Sequence, residues 1–240
     1  MKKSYILVID SGVGGVSILK ELVKKYKDES FIYVADNLNS PYGNKTKKFL
    51  RVHILKLINE YIQKYSIKLI VFACNTITAA TINFVRKNID IPIVGTEPPI
   101  KQVKNNKKTL VLATISTIKY SNLLKIYKNK KNIDFIGLKN VANMLDDNFY
   151  ERKLITDELK KQIPNKEYKF VVLGCTHYYF LKKEITKVLH KVKFYDATFG
   201  VVKQVKKLLT KTKKSKQSIK IKLTKNNNNL KNSIKYILNS

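Results

Sequence analysis

Short apolar runs alternate along the chain with longer stretches whose apolar residues recur at helical spacing. YILVID (5–10) reads as a strand, and GVSILKELVKKY (15–26) as the helix after it. SFIYVAD (30–36) is the next strand. KTKKFLRVHILKLINEYIQKY (45–65) predicts a long helix with Phe49, Val52, Leu55, Ile58 and Ile62 on its apolar side. IKLIVFA (67–73) predicts a strand, TAATINFVRKN (78–88) a helix and IPIVG (91–95) another strand. This alternation implies a parallel sheet covered on both faces.

The order then repeats. KTLVLAT (108–114), IDFIGL (133–138), KFVVLG (169–174) and KFYDA (193–197) read as strands. TIKYSNLLKIYKN (117–129), most of DDNFYERKLITDELKKQ (146–162), YFLKKEITKVLHKV (179–192) and GVVKQVKKLLTK (200–211) read as helices. The tail adds a strand, SIKIKLTK (218–225), a turn at NNNN (226–229) and a short helix, LKNSIKYILNS (230–240). The best boundary between the two rhyming units is GTEPPIKQVKNNKKT (95–109), with Pro98, Pro99 and the Asn105–Asn106 pair. The expected fold class is α/β, as two pseudo-symmetric domains with mainly parallel sheets and the active site in the cleft between them. Residues 1–96 with 208–240 form the first domain, and 97–207 the second.

A chain of 240 residues can build such a core. No apolar run approaches the ~18 residues of a membrane span. The opening MKKSYILVIDSGVGG is too short in its apolar part for a signal peptide, and Asp10 ends it. The expected location is the cytoplasm, where Cys74 and Cys175 are free thiols rather than a disulfide. The formal charge of +31 raises nucleic acid as a partner. However, Arg51, Arg86 and Arg152 are the only arginines among 48 basic residues, and the lysines are spread along the chain. A dedicated phosphate reader favours the arginine fork, so the charge reads as composition.

The chemistry concentrates on the only two cysteines. VFACNTITAAT and VVLGCTHYYF place each at the end of a β-branched run and ahead of small polar residues. In a parallel sheet, ligands sit beyond the carboxyl ends of the strands, where Asp10–Ser11, Asp36 and Thr114 also fall. A helix start after each cysteine predicts a thiol pKa below the free value of ~8.5. Two opposed bases could remove a proton alpha to a carboxylate and return one to the other face, with no cofactor. Taken singly, each cysteine reads as an inert core residue; taken as a matched pair, they read as a site. His53, His177 and His190 lack metal-ligand spacing with them, and Gly12, Gly14 and Gly15 form no nucleotide-binding pattern.

The motifs DSGVGG (10–15), SPYGNKT (40–46), ACNT (73–76), IPIVGTEP (91–98), ATISTIKYS (113–121) and GCTHY (174–178) occur in that order. In this the chain resembles the glutamate racemases of the cofactor-independent aspartate/glutamate racemase superfamily, over essentially its whole length. The resemblance implies Cys74 and Cys175 as the two acid/bases, with Asp10 assisting Cys74 and His177 assisting Cys175. It implies that Ser11, Tyr42, Gly43, Asn75, Thr76, Thr114, Thr117 and Thr176 hold the substrate. The blander readings are Asp10 as a helix N-terminal charge and Ser11 and Thr76 as caps. The family's acidic "CP…PL-E" stretch is replaced by GLKNVANMLDDN (137–148). Asp146 falls on the Glu position, either assisting His177 or serving as an N-cap. Tyr120, Tyr179 and LTKNNNN are further departures from the pattern.

The expected function is therefore glutamate racemisation supplying D-glutamate for peptidoglycan, by a homodimer without cofactor, metal or membrane. The alternatives are racemisation of aspartate or another acidic amino acid, or nucleic-acid binding on a racemase scaffold. His177 after GCT, where aspartate racemases typically carry Glu, argues against aspartate.

Overall fold

The structure, a computed structural model, describes residues 3–103, 107–209 and 216–240. Its first half runs β1 (Ser4–Asp10), α1 (Val16–Lys25), β2 (Phe31–Ala35), α2 (Lys47–Lys64), β3 (Ser66–Phe72), α3 (Asn75–Arg86) and β4 (Ile93–Gly95). The second runs β5 (Thr109–Ala113), α4 (Ile115–Tyr120), α5 (Asn122–Tyr127), β6 (Ile133–Gly137), α6 (Val141–Asp147), α7 (Arg152–Gln162) and β7 (Phe170–Gly174). It continues with α8 (Lys182–Leu189), β8 (Lys193–Tyr195) and α9 (Thr198–Leu208). The tail is β9 (Ile219–Leu223) and α10 (Asn228–Asn239).

The described strands form two parallel sheets, ordered β4-β3-β1-β2-β9 and β6-β5-β7-β8. β9 pairs with β2, so the tail returns to the first sheet. Alternation along each strand sorts side chains between layers. In β1, Ile6 and Val8 enter a core shared with Leu110 and Leu112 of β5 and Val171 and Leu173 of β7. Tyr5, Leu7 and Ile9 face the opposite way, under α2 and α3. Val111 and Val172 meet Leu123 and Leu124 of α5 on the outer face of the second sheet. The shared core fixes the two sheets against each other and so sets the cleft at their strand ends.

Several elements depart from the sequence reading. α2 buries Leu50, Ile54, Leu57 and Ile58, while Phe49 and Val52 are exposed. The buried set follows i, i+4, i+7, i+8 spacing, so the expected stripe was off phase. α3 starts at Asn75, directly after Cys74 rather than at 78. The helix expected over 117–129 breaks at Ser121, whose hydroxyl accepts the Leu124 N–H at 3.2 Å and so caps α5 instead of continuing α4. α6 was not anticipated, and 148–151 separate it from α7. A 3-10 turn, Thr176–Leu181, precedes α8. α10 takes in Asn228 and Asn229, with Asn227 as its cap, where a turn was expected. The end of the 200–211 helix lies partly outside the described residues.

Candidate active site

Cys74 and Cys175 occupy equivalent places. Each has extended backbone directly after its strand and directly before a helical turn, α3 and the Thr176–Leu181 turn respectively. Both are buried, each 7% exposed, and neither is in a disulfide.

Behind Cys74 lies Asp10, the last residue of β1 and wholly buried. Its Oδ1 accepts the Gly12 N–H at 2.8 Å, and its Oδ2 accepts the Thr176 hydroxyl at 3.1 Å. Burial pushes the Asp10 pKa up to about 6, against the favourable pull of His177 and the Gly12 N–H. Asp10 is thus no simple helix-end charge: it binds both halves of the chain.

Beside Cys175 lies His177, with Nδ1 3.8 Å from Sγ and Nε2 3.1 Å from Asp146 Oδ1. Burial opposes the imidazolium, but the Asp146 carboxylate outweighs it and holds the His177 pKa well above its ordinary value. Asp146 sits at the C-terminal end of α6, so it is not an N-cap, and its Oδ1 also accepts the Val13 N–H at 2.8 Å. Asn140 starts α6 in the left-handed region, φ 58°, which Asn tolerates through its short polar side chain.

The DSGVGG turn is glycine-rich because the second half packs directly onto it. A Cβ on Gly12 would strike the Asp146 carboxylate, and one on Gly14 would lie 2.7 Å from the His177 N and from Thr176 Oγ1. No nucleotide is needed to explain these glycines.

Three of the four threonines expected to hold substrate form one cluster, while Thr176 binds Asp10 instead. Thr76 Oγ1 lies 2.9 Å from Thr114 Oγ1 and 3.2 Å from Thr117 Oγ1, and the Thr117–Thr114 separation is 2.9 Å. Thr114 also caps α4 by accepting the Thr117 N–H, whereas Thr76 caps nothing. Asn75 donates to Thr96 O at 3.2 Å, and its buried Oδ1 has no partner among the described residues. Ser11 is buried, and α1 is capped by Gly15 rather than by Ser11. Tyr42 is buried and donates to Asp36 Oδ2 at 2.6 Å. Gly43 O accepts the Ser116 hydroxyl at 2.5 Å across the two halves.

One expectation fails here. Burial pushes the Cys74 thiol well above its ordinary value, and the Asp10 charge adds to this. The Ile77 and Thr76 N–H groups pull the other way, as a helix start should, and Cys175 opposes them from across the cleft. The helix end is outweighed, so Cys74 is a neutral thiol suited to giving a proton.

Gly43, Thr114 and Tyr178 line a cleft of about 210 Å³ between the halves, and Cys175, Thr176 and Asn75 line a cavity of about 10 Å³. A larger cleft of about 450 Å³, also lined by Asn75, runs toward Arg86 and Lys101. Of the three, only the small cavity is lined by a cysteine, Cys175, and that contact rather than size marks the site. Among the described residues no group of three or more His, Cys, Asp and Glu is placed to hold a metal ion. Nor is any described helix long and apolar enough to cross a membrane. Asp36, His53 and Ser116 join the network around the site although they were not assigned to it; His53 had only the weak signal of a lone histidine.

The glutamate racemase of Clostridium acetobutylicum is 36% identical over 221 residues, covering 88% of this chain and 86% of its own length. The chain belongs to the glutamate racemase family. No protein-family model matches it. Among solved structures, glutamate racemase from Campylobacter jejuni superposes with a TM-score of 0.84 at 26% identity, covering 98% of both chains. Glutamate racemase from Francisella tularensis in complex with D-glutamate gives 0.82 at 25% identity, covering 100% of this chain and 95% of that one. These matches agree with the two-sheet glutamate racemase fold expected from the sequence.

Proposed function

We propose that this protein interconverts L-glutamate and D-glutamate by two-base proton transfer, with Cys74 and Cys175 on opposite faces of Cα. The observation that carries the proposal is the pairing of two buried thiols at equivalent strand ends, each backed by its own acid/base partner. Family membership and the D-glutamate complex of the Francisella relative support glutamate as the substrate.

In one direction Cys175, as thiolate, takes the Cα proton, and the planar carbanion receives the Cys74 S–H proton on its other face. The reverse direction exchanges the roles. His177, kept cationic by Asp146, is the counter-charge beside Cys175. Asp10 sits where it can exchange a proton on the Cys74 side, and its pKa of about 6 suits that work near neutral pH. The hydroxyls of Thr76, Thr114, Thr117 and Thr176, with Ser11, Asn75, Tyr42 and Gly43, supply donors to the substrate's carboxylates and acceptors to its ammonium. Fixed donors in a water-poor cleft stabilise charge growing on the α-carboxylate, which is how a weakly acidic Cα–H becomes reactive. The thiols carry out the chemistry without a cofactor.

We further assign residues 1–96 and 208–240 to one domain and 97–207 to the other, a homodimer as the assembly, the cytoplasm as its location and peptidoglycan as the destination of D-glutamate. The test incubates reduced protein in D2O with L-glutamate, and separately with L-aspartate. Loss of optical rotation with deuterium at Cα of glutamate is expected. Exchange on aspartate alone would move the substrate, and exchange on neither would remove the proposal.

A further inference from the structure

Asp36, just past the end of β2, carries a wholly buried carboxylate that side-chain donors surround. Oδ2 accepts from Tyr42 Oη at 2.6 Å and from His53 Nε2 at 2.6 Å, and Oδ1 accepts from Asn39 Nδ2 at 3.1 Å. The carboxylate fixes the imidazole tautomer, since Nε2 must carry the proton it donates. Burial alone would raise the Asp36 pKa, but the donors from His53, Tyr42 and Asn39 outweigh it and hold the pKa below the ordinary carboxylate value. Asp36 therefore stays charged, and a buried charge needs its partners.

The cluster reaches the site on one side and solvent on the other. The Asp36 N–H donates to Asp10 O at 2.8 Å, tying the two strand ends together. Tyr42 lies within electrostatic reach of Cys74 and Asp10. The next residue, Gly43, accepts the Ser116 hydroxyl and faces Thr114. His53 comes from α2, stacks on Phe49 at 5.4 Å between ring centroids, and has a side chain 21% exposed. Its edge faces a groove of about 430 Å³ with Lys56, Glu60, Lys64 and Lys222 on the wall.

We infer that His53 is a positioning residue which, through Asp36, sets the Tyr42 hydroxyl and the SPYG turn for the reaction. The inference rests on the racemase reading. Without the imidazole donor, Asp36 has one fewer partner for its charge and competes for the Tyr42 proton in a different geometry. The Tyr42–Gly43 turn then loses its fixed place against Thr114 and Ser116.

The test measures glutamate racemisation by wild type, His53→Leu, His53→Gln, Tyr42→Phe and the His53→Leu/Tyr42→Phe double variant, with Tm recorded for each. His53→Leu is expected to lower kcat/KM about tenfold, and His53→Gln, which retains an N–H donor, to recover most of it. In the Tyr42→Phe background His53→Leu should cost less than about twofold more, because its route is already cut. Unchanged kcat/KM in folded His53→Leu, no recovery in His53→Gln, or the same tenfold loss repeated on Tyr42→Phe would each overturn the inference. If His53→Leu does not fold, His53→Asn, polar but too short to reach Asp36, takes its place in the same comparison. A wild type that racemises while His53→Leu matches it overturns this inference alone. A wild type with no Cα exchange overturns the racemase reading and this inference with it.

Discussion

His177, which is buried, and Asp146, which is partly buried, pair across the second half, Nε2 to Oδ1 at 3.1 Å, and the same Oδ1 receives the Val13 N–H from the first half. One carboxylate oxygen thus sets the charge of the histidine beside Cys175 and pins the DSGVGG turn. Asp146→Asn should lower kcat by about 100-fold, the scale of losing a tuned acid/base partner. The His177 titration, followed by ring-proton NMR, should fall toward its ordinary value. A histidine with a raised folded pKa stabilises the fold below its unfolded pKa and loses that contribution as pH rises through the folded pKa. The stability deficit of Asp146→Asn should therefore be largest at pH 6 and below, and shrink well above neutral. A deficit independent of pH would show that the Val13 contact alone matters.

Asp10 shifts stability with pH in the same direction as His177, although here it is the neutral form that the fold favours. Its pKa rises to about 6 in the fold from an ordinary 3.8, so the folded state holds the proton more tightly. Its stabilising contribution is full below pH 3.8 and is lost as pH climbs through 6. A shift of that size corresponds to about 3 kcal/mol. Asp10→Asn, which cannot ionise, should match wild type in Tm near pH 4 and exceed it at pH 7, while racemisation falls. Thermal unfolding across this range checks the sign. Equal Tm differences at both pH values would mean that Asp10 does not titrate there.

The cysteines should separate exchange from inversion. Cys74→Ala retains one base, and so does Cys175→Ala. Each should lose net racemisation by at least about 1000-fold, yet each should still exchange the Cα proton of one enantiomer with D2O, and the two variants should act on opposite enantiomers. Chiral chromatography with mass spectrometry reads both quantities together. Exchange of the same enantiomer by both variants, or racemisation by either, would dismantle the two-face arrangement.

The strands were legible because parallel sheets bury both faces: YILVID and KFVVLG leave little room for another reading. The two cysteines were legible as a pair because strand, thiol and small polar residues repeat in order. Local periodicity failed where several phases competed. In α2, Phe49 and Val52 offer an apolar side, but Leu50, Ile54, Leu57 and Ile58 are buried. The break at Ser121 depends on a side-chain cap that a helical pattern conceals. A helix end is visible in sequence and points to a lowered Cys74 pKa, whereas full burial beside Asp10, which raises it, is a property of the packed fold. The same holds for Gly12 and Gly14, whose missing side chains make room for Asp146 and His177 from more than 130 residues away.

Gly14 gives a direct test of that packing. A methyl group there meets the His177 backbone, which cannot swing away, and the Thr176 hydroxyl, which is tied to Asp10. Gly14→Ala should destabilise the protein by about 1–3 kcal/mol, the usual cost of overpacking. It should also displace His177 from Cys175 and cut kcat more than KM rises. Thermal unfolding and steady-state kinetics on one preparation separate the two effects. Wild-type kcat in Gly14→Ala would show that the halves pack more loosely than these contacts imply.

Ser116 tests how the halves are latched. Its hydroxyl donates to Gly43 O at 2.5 Å, joining the turn before α2 to the first turn of α4. Neither cysteine touches this bond, so it acts on the geometry of the cleft and not on proton transfer. Ser116→Ala leaves the Gly43 carbonyl without that donor, a loss of about 1 kcal/mol. The cost falls on the closed arrangement that holds substrate, so KM for glutamate should rise several-fold while kcat changes less than about twofold. Ser116→Thr, which keeps the hydroxyl, should restore KM. A matching fall in kcat with KM unchanged would instead place Ser116 in the transition state and not in the latch.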